Sequence, residues 1–224
     1  MELEEDWLLS LPKIILHRIL SRLPEKDRAR TSVLSKAWLD TWYTFPILFF
    51  SDIKILGLPQ AKPIEDSARK REILEFCDYV KRSMLKFRDQ SLTIKEFKLH
   101  VLRLELRHIS KDIKIWLKLA CECGVEVIQY YQNLTRNQDQ YDYHALPRCV
   151  IEAKSLTKLV LVGFINIDPI FMNYSIKFFS LRVLSLKGMY FWEINMQLTT
   201  SSVNSVCLLI FVYTFLGLCR IHWT

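Results

Sequence analysis

The chain has 224 residues, half of them hydrophobic, enough for one large domain or two small ones. Only 5 are glycine, which argues against phosphate-cradling loops, because these need backbone close to the ligand. The formal charge of +7 is spread thinly, with seven basic and seven acidic residues over 1–50 and eighteen against fourteen over 51–150, so a solvated basic surface is expected rather than a nucleic-acid binder.

Ser10-Leu11-Pro12 should open the first helix: a possible cap, then a proline whose fixed φ suits a first turn. Ile15, Leu16, Ile19, Leu20 and Leu23 follow at three- and four-residue spacing and form an apolar stripe, which Pro24 ends. A more polar second helix is predicted over Lys26–Thr31. Ser35 can then cap a third, carrying Trp38 and Trp42 four residues apart on one face. Three short helices in about forty residues bury little surface by themselves. Aliphatic side chains beside two tryptophans suit a protein partner, although the same residues could face the rest of the chain.

Leu11-Pro12-Lys13-Ile14-Ile15-Leu16-His17-Arg18-Ile19-Leu20-Ser21-Arg22-Leu23-Pro24-Glu25-Lys26-Asp27, with Arg30-Thr31-Ser32-Val33-Leu34-Ser35-Lys36-Ala37-Trp38 after it, resembles an F-box. The wording is similar to that of the plant F-box proteins with leucine-rich repeats. The resemblance implies docking to the Skp-type adaptor of a cullin ubiquitin ligase. It marks Leu11, Pro12, Ile15, Ile19, Leu20, Leu23, Pro24, Val33, Leu34, Ser35 and Trp38 as candidates for that contact. Some of these must instead form the module's own core, and the sequence does not divide the two sets. Ala37 departs from the family pattern, which has Arg or another long side chain there; a lost rim charge should trim affinity modestly.

Residues 51–66 read as a connector punctuated by Gly57, Pro59 and Pro63. A helix is predicted over Ser67–Arg88, with Ile73, Phe76, Cys77, Val80, Met84 and Phe87 on its apolar side and Arg69-Lys70-Arg71 on a wet one. Beyond it an apolar-x-x-apolar-x-apolar spacing recurs at Ile94-Phe97-Leu99, Val125-Ile128-Tyr130, Leu156-Leu159-Leu161 and Leu181-Leu184-Leu186. Each copy reads as one short strand, and Ile113–Cys121 reads as a helical crossover between two of them. Stacked strand-plus-crossover units are the pattern of a leucine-rich solenoid, in which each unit buries its face against its neighbours. Trp116 through Gly124-Val125-Glu126, Leu146-Pro147, Ser155-Leu156 through Gly163, and Ser180-Leu181 through Gly188 also resemble the repeat region of the same plant family. The likeness runs from about Leu8 to Met189 and implies a surface that recruits a target protein.

From Ile194 to Cys219 no residue is charged. Three readings are open: a membrane anchor through residues 203–219, one more strand at Val206-Leu209-Phe211, or an altered and truncated end that leaves an inactive product.

Cys77, Cys121, Cys123, Cys149, Cys207 and Cys219 form no C-x-x-C pair, and Cys121-x-Cys123 is too tight for a zinc knuckle. Free thiols in a reducing compartment are expected, with no metal and no cofactor. Glu2, Glu4, Glu5 and Asp6 stand where a secretory signal would be basic, so a nuclear or cytoplasmic location is expected. No G-x-S-x-G, Walker or H-E-x-x-H motif occurs, and the chain is not expected to be an enzyme. The expected fold class is α/β. Its expected domains are a three-helix F-box (1–50), a linker and connecting helix (51–90), a short right-handed leucine-rich-repeat solenoid (91–193) and an atypical apolar tail (194–224). The expected function is a substrate adaptor of an SCF-type ligase; the alternatives are a membrane-anchored repeat scaffold and the inactive product.

Overall fold

The computed structural model describes residues 11–57, 66–133, 144–163, 165–166 and 180–187, with short strands at 207–210, 213–214 and 217–218. The chain divides into two compact units, residues 1–47 and 48–224.

In the first unit, prolines set the helix boundaries. The Pro12 carbonyl accepts the Ile15 N–H at 2.8 Å and starts α1 (Lys13–Arg22); Ser10, the expected cap, lies outside the described residues. Leu23 leaves that helix extended, as a residue before proline must, and Pro24 accepts from Asp27 and Arg28 at 3.0 and 2.9 Å to start α2 (Glu25–Thr31). The turn at Ser32–Leu34 follows, closed by Leu34 N–H on the Thr31 carbonyl at 3.0 Å. Ser35 caps α3 (Lys36–Tyr43) as the sequence predicts, its hydroxyl accepting the Trp38 N–H at 3.3 Å.

Strand β1 (Ile47–Ser51) falls at the end of the span expected for the F-box, and the short helix α4 (Asp52–Leu56) follows where the sequence reading expected a connector over 51–66. The reason is Asp52, which is wholly buried. Its carboxylate accepts backbone N–H groups from Ile53 at 2.8 Å, Leu102 at 2.9 Å, Arg103 at 2.6 Å and Leu104 at 2.9 Å. A buried carboxylate is tolerable only when so many donors replace its water. It ties this stretch to a loop fifty residues away, a bond no local pattern reveals.

Helix α5 (Asp66–Asp89) and helix α6 (Leu106–Glu122) pack together, with Phe76 edge-on to Trp116 at 5.9 Å. The predicted apolar side of α5 is the buried one: Phe76, Val80, Met84 and Phe87 enter the core. Helix α6 ends in a Schellman turn. Val125 donates to the Ala120 carbonyl at 3.1 Å and Gly124 to Cys121 at 3.1 Å, with Gly124 at φ +70°. The same turn ends α5, with Leu92 donating to Phe87 at 2.8 Å, but Ser91 holds the left-handed position at φ +53°.

Six strands form one sheet in the order β1, β2 (Glu96–Val101), β3 (Val127–Gln132), β5 (Lys158–Val162), β7 (Val183–Lys187) and β8 (Cys207–Ile210). From β2 to β8 each pairs in parallel with its neighbour. The repeat spacing read from the sequence is the register itself. Phe97, Ile128, Leu159 and Leu184 are partners across the sheet, as are Leu99, Tyr130, Leu161 and Leu186. Their side chains share one core with α5 and α6. The approach to each strand repeats too: the carbonyls of Lys95, Glu126 and Thr157 each accept two N–H groups from the next unit.

Between β3 and β7 lie a two-residue pair, β4 (His144–Ala145) with β6 (Ile165–Asn166), and the short helix α7 (Arg148–Ile151). Gly163 crosses close to β3: a Cβ there would stand 2.7 Å from Gln132 Oε1 and 2.8 Å from Gln132 Cβ. In the tail, β8 is the extra strand, with its pairing one residue earlier than the sequence spacing suggests. Leu208 and Ile210, not Leu209 and Phe211, stand opposite Leu184 and Leu186. Spacing counted along a chain does not see how many residues the preceding loop consumes. Two further short strands, β9 (Tyr213–Thr214) and β10 (Gly217–Leu218), pair antiparallel. Among the described residues no helix is long and apolar enough to cross a membrane.

Candidate functional site: apolar side chains on the helical module

The eleven candidate contact residues separate by burial. Leu20 is fully buried and Trp38 nearly so; with Leu16 and Phe45 they make the module's core, and Leu11, Ile19 and Leu23 pack half-buried against it. Pro12, Ile15, Pro24, Val33 and Leu34 are exposed, while Ser35 is half-buried and occupied as the α3 cap. Val33 is 83 % exposed and Leu34 69 %.

The two sets arise from local geometry. Leu16 and Leu20 are four apart on α1 and face inward, so Ile14 and Ile15 must fall on other sides. Ile14 is 74 % exposed and Ile15 36 %. Val33 and Leu34 sit in the tight turn between α2 and α3, which holds their side chains away from the core. Burying either against a partner is worth about 1.5–3 kcal/mol.

Sequence reasoning omitted Ile14 and Phe45. The signal for Ile14 was a surplus: a three-helix core cannot use both members of Ile14-Ile15. Phe45 follows Trp42 at a helical three-residue step, and their rings stack 6.4 Å apart. The Arg28 guanidinium lies over the Phe45 ring at 5.3 Å, and the His17 ring meets its edge at 5.8 Å. His17 Nε2 also lies 3.2 Å from Thr44 Oγ1. These contacts brace the chain where it leaves the module.

In the second unit, the sheet face turned away from the helices carries a row of aromatics. His100 lies edge-on between Phe49 and Tyr131, each 4.8 Å away, and Lys54 Nζ sits 4.6 Å over Phe49. Across the register the row continues through Val162 to Lys187. Among the described residues no group of three or more His, Cys, Asp or Glu side chains is arranged to hold a metal ion.

A capped three-helix hook with exposed aliphatics, joined to a parallel sheet built from repeated units, defines a class of docking protein. The F-box domain family matches residues 8–50. An F-box/LRR-repeat protein of Arabidopsis thaliana is 33% identical over 156 residues, covering 69% of this chain and 30% of the relative. A probable FBD-associated F-box protein of the same plant is 30% identical over 188 residues, covering 83% and 39%. A second F-box/LRR-repeat protein is 26% identical over 187 residues, covering 83% and 35%. No solved structure shows a significant match. The chain is an F-box protein of the plant F-box/LRR kind, and it spans between 30% and 39% of the length of these relatives.

Proposed function

We propose that this chain is a substrate adaptor of an SCF-type cullin ubiquitin ligase. Its F-box docks onto the Skp-type adaptor, and its repeats act as a short right-handed leucine-rich-repeat solenoid that holds a target protein. Ubiquitin transfer then becomes effectively intramolecular, because the target is kept at high local concentration beside the transfer machinery. The chemistry belongs to the partners.

The observation that carries this reading is the exposure of Val33 and Leu34 within a segment that matches the F-box family. Aliphatic side chains in a rigid turn are poor surface residues and good anchors: they lose little entropy on docking and gain their full transfer energy. The solenoid reading is supported by the common register of Phe97, Ile128, Leu159 and Leu184, since each unit covers only its neighbours. The aromatic row through Phe49, His100 and Tyr131 is the natural target face, being the sheet surface that the helices leave open.

Co-purification of the chain with a Skp-type adaptor tests the proposal. Val33→Asp with Leu34→Asp should lose that complex, while the circular dichroism and unfolding midpoint stay those of the parent chain. Retention of the complex by a folded double variant would sink the assignment of these side chains.

A further inference from the structure

Phe97, Ile128, Leu159 and Leu184 enter the core, so the residues beside them in each strand turn to the other face of the sheet. On that face the register lays His100, Tyr131, Val162 and Lys187 in one row across β2, β3, β5 and β7. Phe49 extends the row on the β1 side, edge-on to His100 at 4.8 Å, and Lys54 Nζ stands 4.6 Å over the Phe49 ring. The row therefore begins and ends on an exposed lysine, Lys54 and Lys187, with half-buried ring and aliphatic surface between them.

The neighbouring rows carry charge of the same sign. Lys98 and Lys158 lie on this face too. Among the described residues of β2, β3, β5 and β7 that turn this way, the one acid is Glu96, which Lys98 holds at 2.6 Å. A face with four lysines and one paired glutamate attracts anionic groups and repels basic ones. The rings narrow the choice of anion. Phe49, His100 and Tyr131 meet edge-on in succession, and Lys54 covers Phe49, so they form a packed strip and not the open platforms on which bases stack. Such a strip suits an apolar side chain of a protein.

We propose that this strip takes an extended acidic segment of a target protein, laid across the strands. Carboxylates at the two ends of the segment meet Lys54 and Lys187, and an apolar side chain between them packs on His100, Tyr131 and Val162. Strands lie about 4.8 Å apart, so the four steps from β1 to β7 cover about 19 Å, the reach of about six extended residues. The inference names the target chemistry for the adaptor reading, and it rests on that reading only in taking the segment to be part of a target.

The probe is a fluorophore-labelled peptide of about seven residues, with two glutamates at each end and a leucine at the centre, titrated into the full-length chain by fluorescence anisotropy. It should bind, and more weakly as salt rises. Lys54→Glu with Lys187→Glu, both at exposed positions, should lower the affinity about tenfold or more with the circular dichroism unchanged. The same variant should gain binding to the matching peptide with lysines in place of glutamates, a reversal that misfolding does not produce. Equal binding of the acidic and basic peptides by the parent chain, an unchanged affinity in the double variant, or tighter binding of oligouridylate than of the acidic peptide would each overturn the proposal. Capture of a Skp-type adaptor by the same preparation is read separately. Its loss with acidic-peptide binding intact removes the adaptor reading and upholds the acidic strip, whereas adaptor capture without peptide binding removes the strip alone.

Discussion

The helical module closes on four buried apolar side chains, Leu16, Leu20, Trp38 and Phe45. Among the described residues the sheet unit buries thirty in one continuous cluster. The module leaves Ile14, Val33 and Leu34 in water, whereas the repeats point their corresponding aliphatics inward. A core that small cannot use every apolar group its helices carry, so the surplus becomes surface, and surface of that chemistry is an interface. In the strands of the repeats the recurring aliphatics are covered, because each strand has the next beside it; the exposed apolar side chains described in this unit, Leu74, Tyr79 and Ile115, lie on its helices. The other face of the sheet carries Phe49, His100 and Tyr131, with Lys54 beside them, instead.

Five perturbations should break or sharpen this contrast. The largest is Asp52→Ala, which strands several buried N–H donors at once. It should cost the sheet unit about 3–5 kcal/mol in urea unfolding, and adaptor capture by the module should persist if the two units are independent. Next come paired losses of adaptor binding with different causes. Val33→Asp with Leu34→Asp should weaken the complex by about 3 kcal/mol or more without changing stability. Leu20→Ala should lose it because the module unfolds, with roughly 2–5 kcal/mol of core lost; equal thermal midpoints for the two variants would erase the division drawn between anchor and core.

Gly163→Ala should destabilise the sheet unit by about 1–3 kcal/mol, since its Cβ would meet Gln132 at 2.7 Å. The effect should appear in unfolding of the repeats while adaptor affinity holds. The smallest change has the opposite sign. Ser91→Gly should stabilise by about 0.5–1 kcal/mol, because it relieves a left-handed backbone that glycine adopts freely. Its equivalent at the end of α6, Gly124, already enjoys that relief. An unchanged chevron or melting curve for Ser91→Gly would mean that the two helix ends are not energetically alike.

Much of this was legible in the residues. Proline at 12, proline at 24 as the end of the first helix and serine at 35 set helix boundaries by local chemistry alone, because capping and φ restriction act within a few residues. The apolar spacing of the repeats anticipated the register of four strands, because parallel in-line stacking requires the same side chain to recur at the same place. The ordered match from Leu11 to Trp38 pointed to the F-box. Tertiary structure alone decided the rest. It divided Leu20 and Trp38 from Val33 and Leu34, since burial depends on which neighbour arrives and not on hydrophobicity. It placed α4 at the start of the expected connector through Asp52, whose partners lie about fifty residues ahead. It shifted the tail strand by one residue. Contacts of that reach are chosen by the packing of whole elements, and no window of sequence contains both partners.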